Sequence, residues 1–106
     1  MDEDAFMVEV EASSSAVVRL HGDLDLAGVP HLLSALACLD GDVELDCSGV
    51  DFIDAAGLGA FVRAYQQCSA RGAKLVVVDP NRAVLRLMQM VELDTELHVR
   101  RDGAAS

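Results

Sequence analysis

Apolar positions along this chain switch between a period of two and a period near 3.6, and the switches mark out its elements. Ala5-Phe6-Met7-Val8-Glu9-Val10-Glu11 and Ala16-Val17-Val18-Arg19-Leu20-His21 have the β-branched, alternating character of strands. The serine-rich link Ser13-Ser14-Ser15 is short enough to join them as a hairpin, and Gly22-Asp23-Leu24-Asp25 is expected to end the second strand in a loop. Leu32, Leu33, Leu36 and Leu39 then follow helical spacing, with Pro30 tolerable only in the opening turn and Gly41 expected to close the helix. Val43-Glu44-Leu45-Asp46-Cys47 alternates apolar and acidic residues, the mark of a strand with one covered side and one wetter side.

Val50-Asp51-Phe52-Ile53 is strand-like and runs into a second helix. That helix is marked by Leu58, Phe61, Val62, Tyr65 and Cys68 on one stripe, with Gly72 as its stop. Leu75-Val76-Val77-Val78 is a continuous apolar run of the kind covered on both faces, which places it inside the sheet. Asp79-Pro80-Asn81 offers a turn and a cap for a third helix bearing Val84, Leu85, Leu87, Met88 and Val91, and Glu96-Leu97-His98-Val99 reads as a short closing strand. The order is β-β-α-β-α-β-α-β. It predicts one α/β domain over residues 5–100, with a mixed sheet of about five strands, right-handed crossovers and helices mainly on one face. Residues 101–106 lack core side chains and are expected to form a mobile tail.

Composition narrows what such a domain can do. The 106 residues leave room for one domain, and 52% hydrophobic content supplies its core. A formal charge of −10 argues against nucleic acid or an anionic membrane surface, because both reward a cationic face; a basic protein partner is electrostatically easier. Cys38, Cys47 and Cys68 show neither CxxC pairing nor zinc-ligand spacing and read as buried thiols in a reducing cytoplasm. Met1-Asp2-Glu3-Asp4 is acidic where a secretion signal is basic, and no apolar run reaches membrane-spanning length, so a cytoplasmic location is expected.

Candidate chemistry gathers where the strand-like run meets the second helix, at Asp54-Ala55-Ala56-Gly57-Leu58-Gly59. Asp54 is placed as N-cap. The first turn after it should be a surface corner rich in N–H donors at the positive end of the helix dipole, suited to holding or sensing an anion. Gly57 and Gly59 belong to neither GxxxxGK[ST] nor GxGxxG and read as packing and turn residues. His21, His31 and His98 share no motif, and no residues have metal-ligand spacing, so no catalytic residue, metal or cofactor is expected. A phospho-receiver reading fails because the first strand does not end in an acidic pair and the Leu75–Val78 strand ends in Asp79 rather than lysine. Asp25 reads as a cap for the Pro30 helix, and Asp23 as either a solvated turn or part of a functional surface.

Taken together, Gly22-Asp23-Leu24-Asp25, the run Asp46 to Asp54, the Gly57-Leu58-Gly59 turn and the Gly72-to-Val78 strand resemble the STAS domain family, specifically the stand-alone anti-sigma factor antagonists of bacteria. The likeness runs from about Phe6 to Val99. It implies a STAS-like fold that binds a protein and transforms no metabolite. The partner so implied is an anti-sigma factor, often a serine kinase using Mg-ATP, which on binding the antagonist releases a sigma factor for transcription. It also implies that phosphorylation of a serine or threonine in the first turn of the second helix breaks the complex. Carried onto this chain, the partner-binding residues are Asp23, Asp54, Ala55, Ala56, Gly57, Leu58 and Gly59, and the acceptor turn falls on Ala55 and Ala56, which carry no hydroxyl. Ser48 and Ser69 lie too far from that turn to replace it. Either the chain is insensitive to kinase control by nature, or a serine was replaced to hold the binding-competent form. Two rival readings are an adaptor subunit of a transport or stress-signalling complex and a sensor of a small ligand.

Overall fold

Strict alternation in the strands gives the sheet one greasy side and one charged side, and chain order decides which side the helices cover. The computed structural model describes residues 6–12, 16–90 and 98–100. Its elements are β1 (Met7–Ala12), β2 (Ala16–Leu24), α1 (Val29–Ala37), β3 (Val43–Ile53), α2 (Ala55–Ala70), β4 (Leu75–Val78), α3 (Arg82–Met90) and β5 (His98–Arg100). The sheet order is β1-β2-β3-β4-β5, with β1 antiparallel to β2 and every later pair parallel. Each crossover therefore advances one strand in the same direction. Right-handed connections of that kind place all three helices on one side.

Burial follows the same division. Val18, Leu20, Leu24, Val43, Leu45, Cys47, Val50, Ile53, Leu75 and Val77 are buried beneath Leu32 and Leu36 of α1, Phe61 and Ala64 of α2, and Val84 and Met88 of α3. The opposite face carries ion pairs from Arg19 to Glu11 at 2.8 Å and to Asp46 at 3.7 Å and from Arg100 to Glu44 at 2.7 Å, and a hydrogen bond between His21 Nε2 and Glu9 Oε1 at 2.9 Å. These pairs are solvent-exposed and screened, so this face keeps the sheet soluble more than it holds it together. Among the described residues no polar side chain is buried.

The helix ends show which local signals acted. Gly72, at φ +75°, closes α2 in a Schellman arrangement, with Ala73 N–H donating to the Cys68 carbonyl at 2.8 Å and Gly72 N–H to Ser69 at 3.0 Å. Asn81 caps α3, its Oδ1 accepting from Val84 N–H at 2.8 Å. Pro30 sits in the first turn of α1, as its missing N–H requires.

Several expectations need correction. Gly41 does not close α1, which ends at Ala37 with Leu39 N–H donating to Leu36; Gly41, at φ +77°, turns the chain toward β3. Asp25 does not cap α1 either, since Gly28 is the N-cap; the Asp25 Oδ1 instead accepts from Ala27 and Gly28 N–H at 3.1 and 3.3 Å and fixes the turn before the helix. Cys38 is exposed, because it stands just past the end of α1 and off the Leu32/Leu36 side, whereas Cys47 and Cys68 are buried as expected. The α2 stripe is centred on Gly57, Ala60, Phe61, Ala64 and Cys68, leaving Val62 and Tyr65 half-buried. The Ser13–Ser15 turn, Met1–Asp4, Val91, Glu96, Leu97 and the 101–106 tail lie outside the described residues.

Candidate partner-binding site

The corner at the start of α2 is built from the ends of two strands. Bulges between Arg19 and His21 and between Gly22 and Asp23, with Gly22 at φ +93°, let β2 continue beyond its glycine. Asp23 is therefore a half-buried strand residue paired with Phe52, not the loop residue expected from the sequence. Leu24 pairs with Ile53, and its carbonyl accepts from Asp54 N–H at 3.3 Å. That bond fixes where β3 stops.

Asp54 then leaves the strand with extended dihedrals of −105° and −172° and caps α2, its Oδ1 accepting from Gly57 N–H at 2.9 Å. A negative charge thus already sits at the positive end of the helix. The anion held at this corner is the Asp54 carboxylate itself, and a second anion placed beside it meets repulsion.

Of the other residues expected here, Ala55 and Gly59 are exposed and Ala56 is half-buried. Gly57 and Leu58 point into the fold, so they shape the corner from beneath. A Cβ on Gly57 would lie 2.4 Å from the Leu24 carbonyl oxygen and 2.7 Å from Ile53 Cγ1, so the glycine is required by close approach. Around Gly59 the space is open. Neither alanine offers a hydroxyl.

Sequence reasoning missed the apolar flanks. Leu26 is 73% exposed in the turn after β2, Phe52 is 53% exposed beside the corner, and Met90 is 72% exposed at the end of α3. Phe52 was detectable: adjacent strand residues face opposite sides, so with Ile53 in the core Phe52 must point away from it. Met90 stands two residues from buried Met88, roughly opposite it around a helix.

A groove of about 420 Å³ runs between Phe52 and α3, lined also by Arg82, Arg86, Leu87 and Met90. It exists because β3 outruns β4. Residues Val43 to Asp46 of β3 pair with β4, whereas the stretch from Gly49 to Ile53 pairs with β2 alone. The edge so freed is met by Asn81, whose Nδ2 donates to the Val50 and Asp51 carbonyls at 3.0 and 3.3 Å. One side chain thus starts α3 and anchors it beside the extension.

His21 pairs with Glu9 on the open sheet face and His31 is exposed on α1; the His98 side chain lies outside the described residues. Burial raises the Cys47 thiol to about 12, with the nearby Asp46 charge adding to it, and Cys68 is raised for the same first reason. Among the described residues no group of His, Cys, Asp and Glu could hold a metal ion, and no helix is long and apolar enough to cross a membrane.

Residues 7–100 match the family model described as Mlab, STAS domain. The fold is similar to that of an anti-sigma factor antagonist from Mycobacterium paratuberculosis, at 23% identity over 93% of this chain and 88% of that one, with a TM-score of 0.81. It is also similar to the antagonist SpoIIAA in its unphosphorylated form, at 19% identity over 90% and 87% of the two chains and a TM-score of 0.74. The phosphorylated form of SpoIIAA from Bacillus gives 18% identity, 90% of each chain and a TM-score of 0.70. The murine anion transporter Slc26a9 contains a similar region, at 20% identity over 84% of this chain and 16% of the transporter, with a TM-score of 0.70. At these identities the likeness is one of fold.

Proposed function

Because this chain belongs to the STAS domain family, we propose that it is a cytoplasmic anti-sigma factor antagonist, a protein whose work is binding and not chemistry on a metabolite. The observation that carries the reading is the corner itself. A capped helix start presents half-buried Asp54 and exposed Ala55, with the exposed apolar side chains of Leu26 and Phe52 two residues from Leu24 and from Asp54. Large apolar groups around a polar centre are what a protein–protein contact needs, and the charge of −10 favours a partner with a basic face.

The partner in this reading is an anti-sigma factor of the ATP-dependent serine kinase type, and its capture frees a sigma factor for transcription. Phosphorylation at the start of α2 would add roughly 1.5 to 2 negative charges next to the Asp54 carboxylate, enough to eject a bound partner. With alanine at positions 55 and 56 that transfer has no acceptor, so the binding-competent form persists.

The test is to mix the protein with candidate anti-sigma kinases and Mg-ATP. A stable complex without phosphate transfer, weakened by Asp23→Lys or Asp54→Lys, is the expected result. Phosphate appearing on this chain overturns the insensitivity, and associations untouched by both lysine variants overturn the assigned surface. The Slc26a9 likeness favours one alternative, an adaptor in a transport assembly, in which case transport components and no ATP-dependent kinase co-purify with the protein.

A further inference from the structure

We propose that the groove between the free edge of β3 and α3 is a second docking element, which takes a segment of the partner protein carrying a large apolar side chain flanked by carboxylates. The inference rests on the reading of the Asp54 corner as a protein-binding surface and adds the chemistry of what lies next to it.

Charge is the first argument. The chain has 8 basic residues against 18 acidic ones, so cations on its surface are scarce. Arg19 and Arg100 are matched by Glu11 and Glu44, and Arg71 donates to the Gly41 carbonyl at 3.0 Å. Arg63 and Lys74 are exposed single cations with no ion pair to a described residue, whereas Arg82 and Arg86, likewise without one, stand one helical turn apart and both line the groove. Two guanidinium groups at spacing i, i+4, unmatched among the described residues, offer paired, fork-shaped donors for carboxylates.

Shape is the second argument. The groove is roomy enough for a leucine- or phenylalanine-sized side chain, and Phe52 and Met90 line it while more than half exposed. Phe52 and Ile53 lead directly into Asp54, so a partner seated on the corner reaches the groove without a gap. The surface is thereby polarised, with carboxylates at Asp23 and Asp54 and cations on α3. A partner has to present the opposite order, which fixes the orientation in which it docks.

The experiment is calorimetric titration with the ATP-dependent anti-sigma factors of the same genome, expressed one at a time. It compares wild type with Arg82→Glu/Arg86→Glu, Met90→Ser, Asp54→Lys and the control Arg63→Glu, an exposed arginine on α2 away from the groove. For the anti-sigma factor that binds wild type, the double reversal is expected to weaken binding about 30-fold at 50 mM salt and less than about 5-fold at 500 mM, because screening suppresses the charge term. Met90→Ser is expected to weaken it about 10-fold at both salts. Retention of binding within about 3-fold by the double variant, or an equal loss in Arg63→Glu, overturns the groove and leaves the corner standing. If neither Asp54→Lys nor Asp23→Lys, titrated alongside, has any effect, or no anti-sigma factor binds wild type, the corner falls and the groove with it.

Discussion

Two glycines in one helix, two residues apart, should respond in opposite directions to the same substitution. A Cβ on Gly57 would meet the Leu24 carbonyl oxygen at 2.4 Å, Ile53 Cγ1 at 2.7 Å and Leu24 Cγ at 2.9 Å. The oxygen is main chain and already accepts from Asp54 N–H, so it has little freedom to retreat. Restoring ordinary contact requires the first turn of α2 and the end of β2 to part by about 1 Å. Overpacking of this kind costs about 1–3 kcal/mol, and disturbing the Asp54 cap adds about 1 kcal/mol. Alanine returns about 1 kcal/mol through its better helix propensity. The net expectation for Gly57→Ala is a loss of about 1–3 kcal/mol, or a fall in melting temperature of about 5–20 °C for a domain of this size. Gly59→Ala keeps only the favourable part, since nothing lies within 4 Å of its new methyl, and should gain up to about 1 kcal/mol. Urea denaturation followed by circular dichroism measures both. A Gly57→Ala protein as stable as wild type would refute the idea that this glycine is fixed by the approach of α2 to β2.

The remaining predictions concern the thiols and the missing hydroxyl. Cys47 has its pKa raised to about 12 by burial, whereas in the unfolded chain it ionises near its ordinary value. The folded state therefore holds more protons between about pH 9 and 12; the stability this thiol contributes is whole below that window and declines through it by up to about 1.4 kcal/mol per pH unit. Denaturation of wild type and Cys47→Ala over pH 8–11 should show a shallower alkaline decline in the variant, and parallel curves would count against it. Native alkylation with iodoacetamide should modify Cys38 alone, and urea should expose Cys47 and Cys68, as read by intact mass. Finally, Ala55→Ser and Ala56→Ser, made singly, should turn the protein into a kinase substrate in at least one case. The phosphorylated form should then lose its partner; phosphate accepted without loss of binding would separate this corner from the interface.

Much of this architecture was legible because the strands alternate cleanly and the helix ends carry strong local signals. Asp54, Gly72 and Asn81 each act where their chemistry requires, so the element order could be read from a single sequence. What escaped depends on pairing between distant segments. Ser48-Gly49 looks like a break between Cys47 and Val50, yet the chain runs on as one strand of 11 residues, because β2 supplies partners across two bulges. The same bulges turn Gly22-Asp23-Leu24 from a loop into strand. Local propensity carries no record of which neighbour will satisfy a backbone group. Cys38 and Gly41 were misplaced for a related reason: α1 ends where its Leu32/Leu36 contact with the core ends, and no terminal glycine is needed to stop it.

The strand lengths decide where the proposed docking groove lies. If β4 extended as far as β3, its backbone would take the place on this edge that the Asn81 amide now fills at the Val50 and Asp51 carbonyls. Helix α3 would then begin further from the corner, and the groove beside Phe52 would be sheet. Because β4 stops after Val78, one asparagine satisfies both carbonyls and starts the next helix. The end of β3 is thus left with β2 on one side and Arg82 and Arg86 on the other. The underside is fixed by the close approach of Gly57 to Leu24 and by the Asp54 cap, so the proposed docking need not first order the surface it uses. Lengthening β4 by moving the Asp79-Pro80 turn outward would remove the groove while leaving the Asp54 cap in place, because the bonds that hold Asp54 run to Leu24 and Gly57 and not to β4 or α3.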